Sequence, residues 1–111
     1  MTIVTNAVHE LLSRAQDLIR DPEHWLQDNF AQTTRGQITD PTDPEATCFC
    51  SLGALWRTSE PCDTRSEARR WLTIATTEAD PYFTNIAAFN DLKTHDQVMA
   101  VWDRAKELAL A

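Results

Sequence analysis

The side chains best suited to chemistry are three thiols, Cys48, Cys50 and Cys62, and three imidazoles, His9, His24 and His95. A thiolate can attack an electrophilic carbon or grip a soft metal, and an imidazole can serve as base or ligand. Two of the thiols stand one residue apart in DPTDPEATCFCSLGALW, residues 40–56. None of the histidines has the paired spacing of a structural zinc site. On a helix, residues two apart diverge by roughly 200 degrees, so the Cys48 and Cys50 sulfurs could not meet on one ion. No metal and no cofactor is therefore expected. A cysteine nucleophile needs a base and an orienting group, and the candidate catalytic set is Cys50 with His95 and Asp91. Nothing in their spacing brings the three together. The plainer reading is that the cysteines pack as small hydrophobes.

Other polar residues could serve contact rather than catalysis. Asn90 and Asp91 lie between Phe89 and Thr94, where they could hold a ligand or tie neighbouring helices together. Asn and Asp commonly bond nearby backbone groups, which favours the second role. Arg65, Arg69 and Arg70 could hold an anion, although such a cluster is more often a solvated helix face. Asp40 and Asp43 add carboxylates beside the paired cysteines. Asp40, Asp43, Asn90, Asp91, Arg65 and Arg69 are thus the interaction candidates.

The elements that position these residues are read mainly from helix starts. Asp followed by Pro supplies a capping oxygen and a residue that fits the first helical turn. It occurs at Asp21-Pro22, Asp40-Pro41, Asp43-Pro44 and Asp80-Pro81. Capping boxes are expected at Thr64 with Glu67 and at Thr94 with Gln97. A first amphipathic helix is expected from Asn6 to Arg20, a third-quarter helix from Ser66 to Thr77 and a last one from His95 to Leu110. Cys62 is placed in a turn. Residues 27–43 form one long polar loop, in which Arg35-Gly36 could turn a small hairpin. Residues 44–58 are apolar on nearly every side and are expected to be a central buried helix. Gly53 sits in its middle, and its cost there of about 1 kcal/mol relative to Ala implies a close backbone crossing, with the first or last helix as partner. The expected fold class is all-α, a bundle of about five helices around residues 44–58, in a single domain over 1–111.

Composition limits the functions this chain can have. Hydrophobic residues make up 42% and glycine occurs only twice, which suits a folded helical chain. Seventeen acids against ten bases give a net charge of -7, which disfavours direct binding of nucleic acid or an anionic membrane. The charge suits a partner protein with a basic surface, and it leaves room for a homodimer. An odd number of cysteines, a charged amphipathic opening segment and the lack of a spanning run point to the cytoplasm.

From Trp25 through DPTDPEATCFCSLGAL to Phe89-Asn90-Asp91 and THDQVMAVWDRA, the chain resembles a family of small uncharacterised bacterial and phage proteins. An aromatic-Cys-x-x-Gly-Ala core after Asp-Pro-x-Asp-Pro carries the likeness, at Asp43, Pro44, Cys50, Gly53 and Ala54. Phe-Asn-Asp and a late Thr-x-x-x-Val with Asp103, Arg104 and Ala105 extend it. The family has no assigned activity, so the resemblance implies a shared fold and no chemistry. The functional expectation is a non-catalytic acidic protein-binding module, carried by a phage or mobile element and acting on a host protein. One form of it is an anti-CRISPR-like inhibitor whose carboxylates occupy a channel meant for phosphates. The rival expectation is a cysteine-dependent enzyme using Cys50, His95 and Asp91.

Overall fold

A computed structural model describes residues 6–58 and 62–111, without the side chains of 62 and 63. Helix α1, Ala7–Ile19, starts where Asn6 accepts a hydrogen bond from the His9 amide, and it buries Leu11, Leu12, Ala15, Gln16 and Ile19. Helix α5, His95–Leu110, opens on the Thr94–Gln97 capping box and buries Val98, Val101, Trp102 and Ala105. Helix α3, Cys62–Ala79, packs against both and contributes Ala68, Leu72 and Ala75 to the core. Trp102 on α5 is the largest fully buried side chain among the described residues. Helix α3 begins before the expected cap at Thr64. The Thr64–Glu67 pair therefore lies inside the helix, and Cys62 opens it instead of standing in a turn.

The chain is not all-α. Beside five α-helices, the described residues carry a three-stranded antiparallel sheet of β1, Ala31–Thr33, β2, Ile38–Thr39, and β3, Ala46–Phe49, in the order β2-β1-β3. Part of the expected 27–43 loop is thus the β1–β2 hairpin, turned with Gly36 at φ +82, where glycine meets no steric penalty.

Strand β3 overturns the central helix expected over 44–58. Its backbone is bonded from both sides. On one side Ala31 and Gln32 face Phe49 and Cys48, and on the other the Leu26 amide donates to the Phe49 carbonyl at 2.9 Å. Bonds of that kind satisfy the main chain as well as a helix does, and a short apolar run with Thr and Phe suits either state. Helix α2 is only Ser51–Thr58. It buries Ser51, Gly53, Ala54 and Leu55 and leaves Trp56 43% exposed, so it covers one side of the core without forming its axis. The helical divergence argued for Cys48 and Cys50 does not apply, because Cys48 is in a strand and Cys50 at the strand-to-helix junction.

The Asp-Pro pairs account for the misreading. Asp21 caps a single 3-10 turn, Pro22–His24. Asp40, Asp43 and Asp80 do accept from amides two residues on, those of Thr42, Glu45 and Tyr82. The carbonyls of the same three residues accept from Asp43, Ala46 and Phe83, so each closes a β-turn where a helix was expected. Asp at the first turn position and Pro at the second use the same local chemistry as a helix start.

Gly53 does sit at a close backbone crossing, but its partner is neither the first nor the last helix. A Cβ built there would overlap the Phe30 carbonyl oxygen and lie 2.9 Å from its carbon. Among the described residues, no helix is long and apolar enough to cross a membrane.

Candidate functional site

Where β3 passes into α2, the chain builds a buried polar centre. Cys50 precedes the helix, its Sγ accepting from the Gly53 amide at 3.3 Å and its carbonyl from Ala54 at 2.8 Å. Ser51 follows, and its amide and hydroxyl both donate to Asn90 Oδ1, at 3.0 and 2.8 Å. Asn90 lies on α4, Ile86–Leu92, which Asn85 caps by accepting from the Ala88 amide. The Trp25 indole also donates to Asn90 Oδ1 at 2.8 Å, and the Trp102 indole donates to Ser51 Oγ at 3.1 Å. On its other side, Asn90 Nδ2 donates to the Leu26 carbonyl and to Asp91 Oδ1. Three donors on one atom and two acceptors on the other fix the amide orientation. Asn90 is 1% exposed, so these bonds take the place of water.

Outside this centre lies a cleft of about 560 Å³. Gln27 holds its edge by donating to the carbonyls of Asn90, Asp91 and Lys93 at the end of α4. Asp28 follows with φ +74, a left-handed conformation that Asp tolerates better than most residues, and its amide donates to Asp91 Oδ1 at 2.9 Å. Asp28, Asp40 and Asp91 place three carboxylates around the cleft, while Phe30, Ile38, Pro41 and Trp56 supply apolar wall. Hydrogen bonds from Thr42 hold the Asp40 carboxyl below its ordinary range. Phe30 and Trp56 meet edge to face with centroids 6.1 Å apart, yet both remain nearly half exposed, and Ile38 is 58% exposed. On the far side of this ring pair is a second cleft of about 370 Å³, lined by Leu52, Leu55, Arg65, Ser66 and Arg69. The Arg65 guanidinium lies over the Trp56 ring at 5.9 Å.

The structure brings some of the expected residues together. Cys50, Asp91 and Asp40 line the first cleft, and Arg65 and Arg69 the second. Asn90 ties α4 to α2 and to the Trp25–Leu26 segment. Asp43 turns inward, accepting from Thr39 Oγ1 and the Glu45 amide while its carbonyl takes the Arg57 guanidinium at 2.6 Å. His95 is not among the residues lining the cleft. Its Nε2–H donates to the Ile19 carbonyl at the end of α1, 2.7 Å away, and its ring meets Trp25 edge-on. Burial is the main cause pushing the Cys50 thiol above its ordinary range. Asp91 pushes the same way, against the Gly53 and Leu52 amides. Among the described residues, no group of three or more His, Cys, Asp or Glu could hold a metal ion. Phe30, Ile38 and Trp56 were missed as surface residues, because Phe30 and Ile38 fall in the expected 27–43 polar loop and Trp56 in the expected buried helix, and neither local pattern shows what the fold leaves exposed. Ser51 was missed because its partners Asn90 and Trp102 lie 39 and 51 positions away.

Residues 4–108 match a family model described as a family of unknown function, DUF6197. Neither the curated proteins nor the solved structures give a match.

Proposed function

The chain belongs to DUF6197, a family of unknown function, and from the geometry of its exposed aromatic face we propose that it is a non-catalytic protein-binding module. One observation carries the reading: Phe30, Trp56 and Ile38 stand exposed together at the border of a cleft ringed by Asp28, Asp40 and Asp91. Large apolar side chains grouped at the surface beside charged ones mark contact surfaces, and Trp and Phe are enriched at interface centres. The partner is a protein that presents an apolar side chain next to Lys or Arg. Binding is favoured over thiol chemistry because the Cys50 thiol is buried and shifted away from thiolate, while His95 does not line the cleft with Cys50 and bonds the Ile19 carbonyl at the end of α1.

The test compares the parent protein with Ile38→Asp as bait. Ile38 is exposed on a two-residue strand, so the change should leave the melting temperature nearly unaltered. A partner retained by the parent at low salt, weakened by added salt and lost with Ile38→Asp supports the reading. Equal retention by both baits, or retention by neither, overturns it.

A further inference from the structure

The two clefts that share the Phe30–Trp56 wall carry opposite charge: Asp28, Asp40 and Asp91 on one side, Arg65 and Arg69 on the other. A face with an apolar ridge between an acidic and a basic flank is complementary to itself after a half turn about an axis through the ridge. Two-fold contacts demand this, since each patch must meet its own copy and residue i of one chain must suit residue j of the other. We infer that this face closes on a second copy of the chain in a two-fold pair, Arg69 of each protomer meeting the carboxylates of its partner's acidic cleft across the packed rings.

Neither charged flank alone selects this occupant. A purely acidic face would repel its copy, and the net charge of -7 opposes self-association in general. Arg69, exposed beside the ridge, offsets that repulsion locally. Phe30 and Trp56, each more than two-fifths exposed in the single chain, supply the apolar centre of the pair. The inference rests on the proposed reading only in taking this face as a contact surface. It adds that the second copy and the partner protein compete for it.

The experiment uses charge reversal on the full chain, followed by analytical ultracentrifugation and native mass spectrometry. The parent should show a concentration-dependent dimer that weakens with salt. Arg69→Glu and Asp28→Lys should each weaken it by about tenfold or more, since each places like charges across both halves of the interface. An equimolar mixture of the two variants should recover a heterodimer. In that pair the two reversed charges face each other across one half of the interface, and the unaltered Asp28 and Arg69 face each other across the other half. Arg69 is exposed on α3, and Arg69→Glu should fold like the parent. If Asp28→Lys is unstable at its left-handed backbone position, Asp28→Asn tests the loss of charge there and should weaken the dimer by a smaller factor. A parent that stays monomeric at all attainable concentrations overturns the inference, as does a dimer indifferent to Arg69→Glu. A monomeric parent that still retains a partner through Ile38 would leave the proposed function standing and assign the face to that partner alone.

Discussion

The Phe30 carbonyl oxygen occupies the space where a side chain at Gly53 would begin. The same carbonyl accepts the Cys50 amide at 3.3 Å, so it cannot move aside without loosening the junction of β3 and α2. Gly53→Ala gains about 1 kcal/mol in helix propensity. Overpacking against a fixed backbone costs about 1 to 3 kcal/mol. The expected outcome in urea unfolding is a net loss of stability for Gly53→Ala and a larger one for Gly53→Leu. A Gly53→Ala protein more stable than the parent would contradict the close approach.

Asn90→Leu should be among the most damaging single substitutions. It keeps the branched outline but leaves the Trp25 indole, the Ser51 amide and the Leu26 carbonyl without their partner. Each buried unpaired group costs about 1 to 3 kcal/mol, so a total near 3 kcal/mol or more is expected. Denaturant midpoints followed by tryptophan fluorescence would measure it. Asn90→Asp should be weakened near neutral pH by a second carboxylate beside Asp91 and should recover in part on acidification.

The Cys50 thiol should alkylate more slowly than a free model thiol near neutral pH and quickly once the protein unfolds. Its folded pKa is raised above the ordinary thiol value, chiefly by burial. The neutral thiol is thus the form that the fold favours. The stability this contributes is complete below the unfolded pKa and is lost as pH rises through the higher folded value. Site-resolved mass spectrometry after timed alkylation provides the measurement, and rapid labelling of Cys50 in the native state would revive the thiol-enzyme reading.

Asp80 offers a pH test of the opposite sign. Lys93 bonds its carboxylate at 2.9 Å and the Tyr82 amide also donates to it, holding its pKa below the ordinary carboxylate value. Stability from this group is complete above the unfolded pKa and is lost as pH falls through the depressed folded value. Asp80→Asn should therefore lower the melting temperature at neutral pH and narrow its gap to the parent in acid. A constant gap across that range would show that the charge contributes nothing.

Legibility in the sequence followed the range of the physics involved. Helices α1 and α5 were readable because both periodicity and cap lie within a few residues, Asn6 with His9 and Thr94 with Gln97. The turn at Arg35-Gly36 was readable for the same reason. Residues 46–49 were not, since pairing with β1 and with Leu26 decides their state and neither partner is local. Asp-Pro was ambiguous because a helix start and a β-turn begin with the same two bonds. At the candidate site Cys50, Asp91 and Asp40 could be named, but not their shared cleft, and the exposure of Phe30 and Trp56 depends on what the rest of the fold leaves uncovered.

Ser51 is the first residue of α2, and amides at such positions ordinarily exchange with solvent as the helix end frays. Its amide proton instead ends on Asn90, whose own bonds reach back to Trp25 and Leu26. The beginning of an eight-residue helix thus opens only when α4 and the segment before the sheet let go together. Hydrogen-deuterium exchange should find the Ser51 amide among the slowest in the molecule, reporting on global unfolding from a position where local motion is the rule.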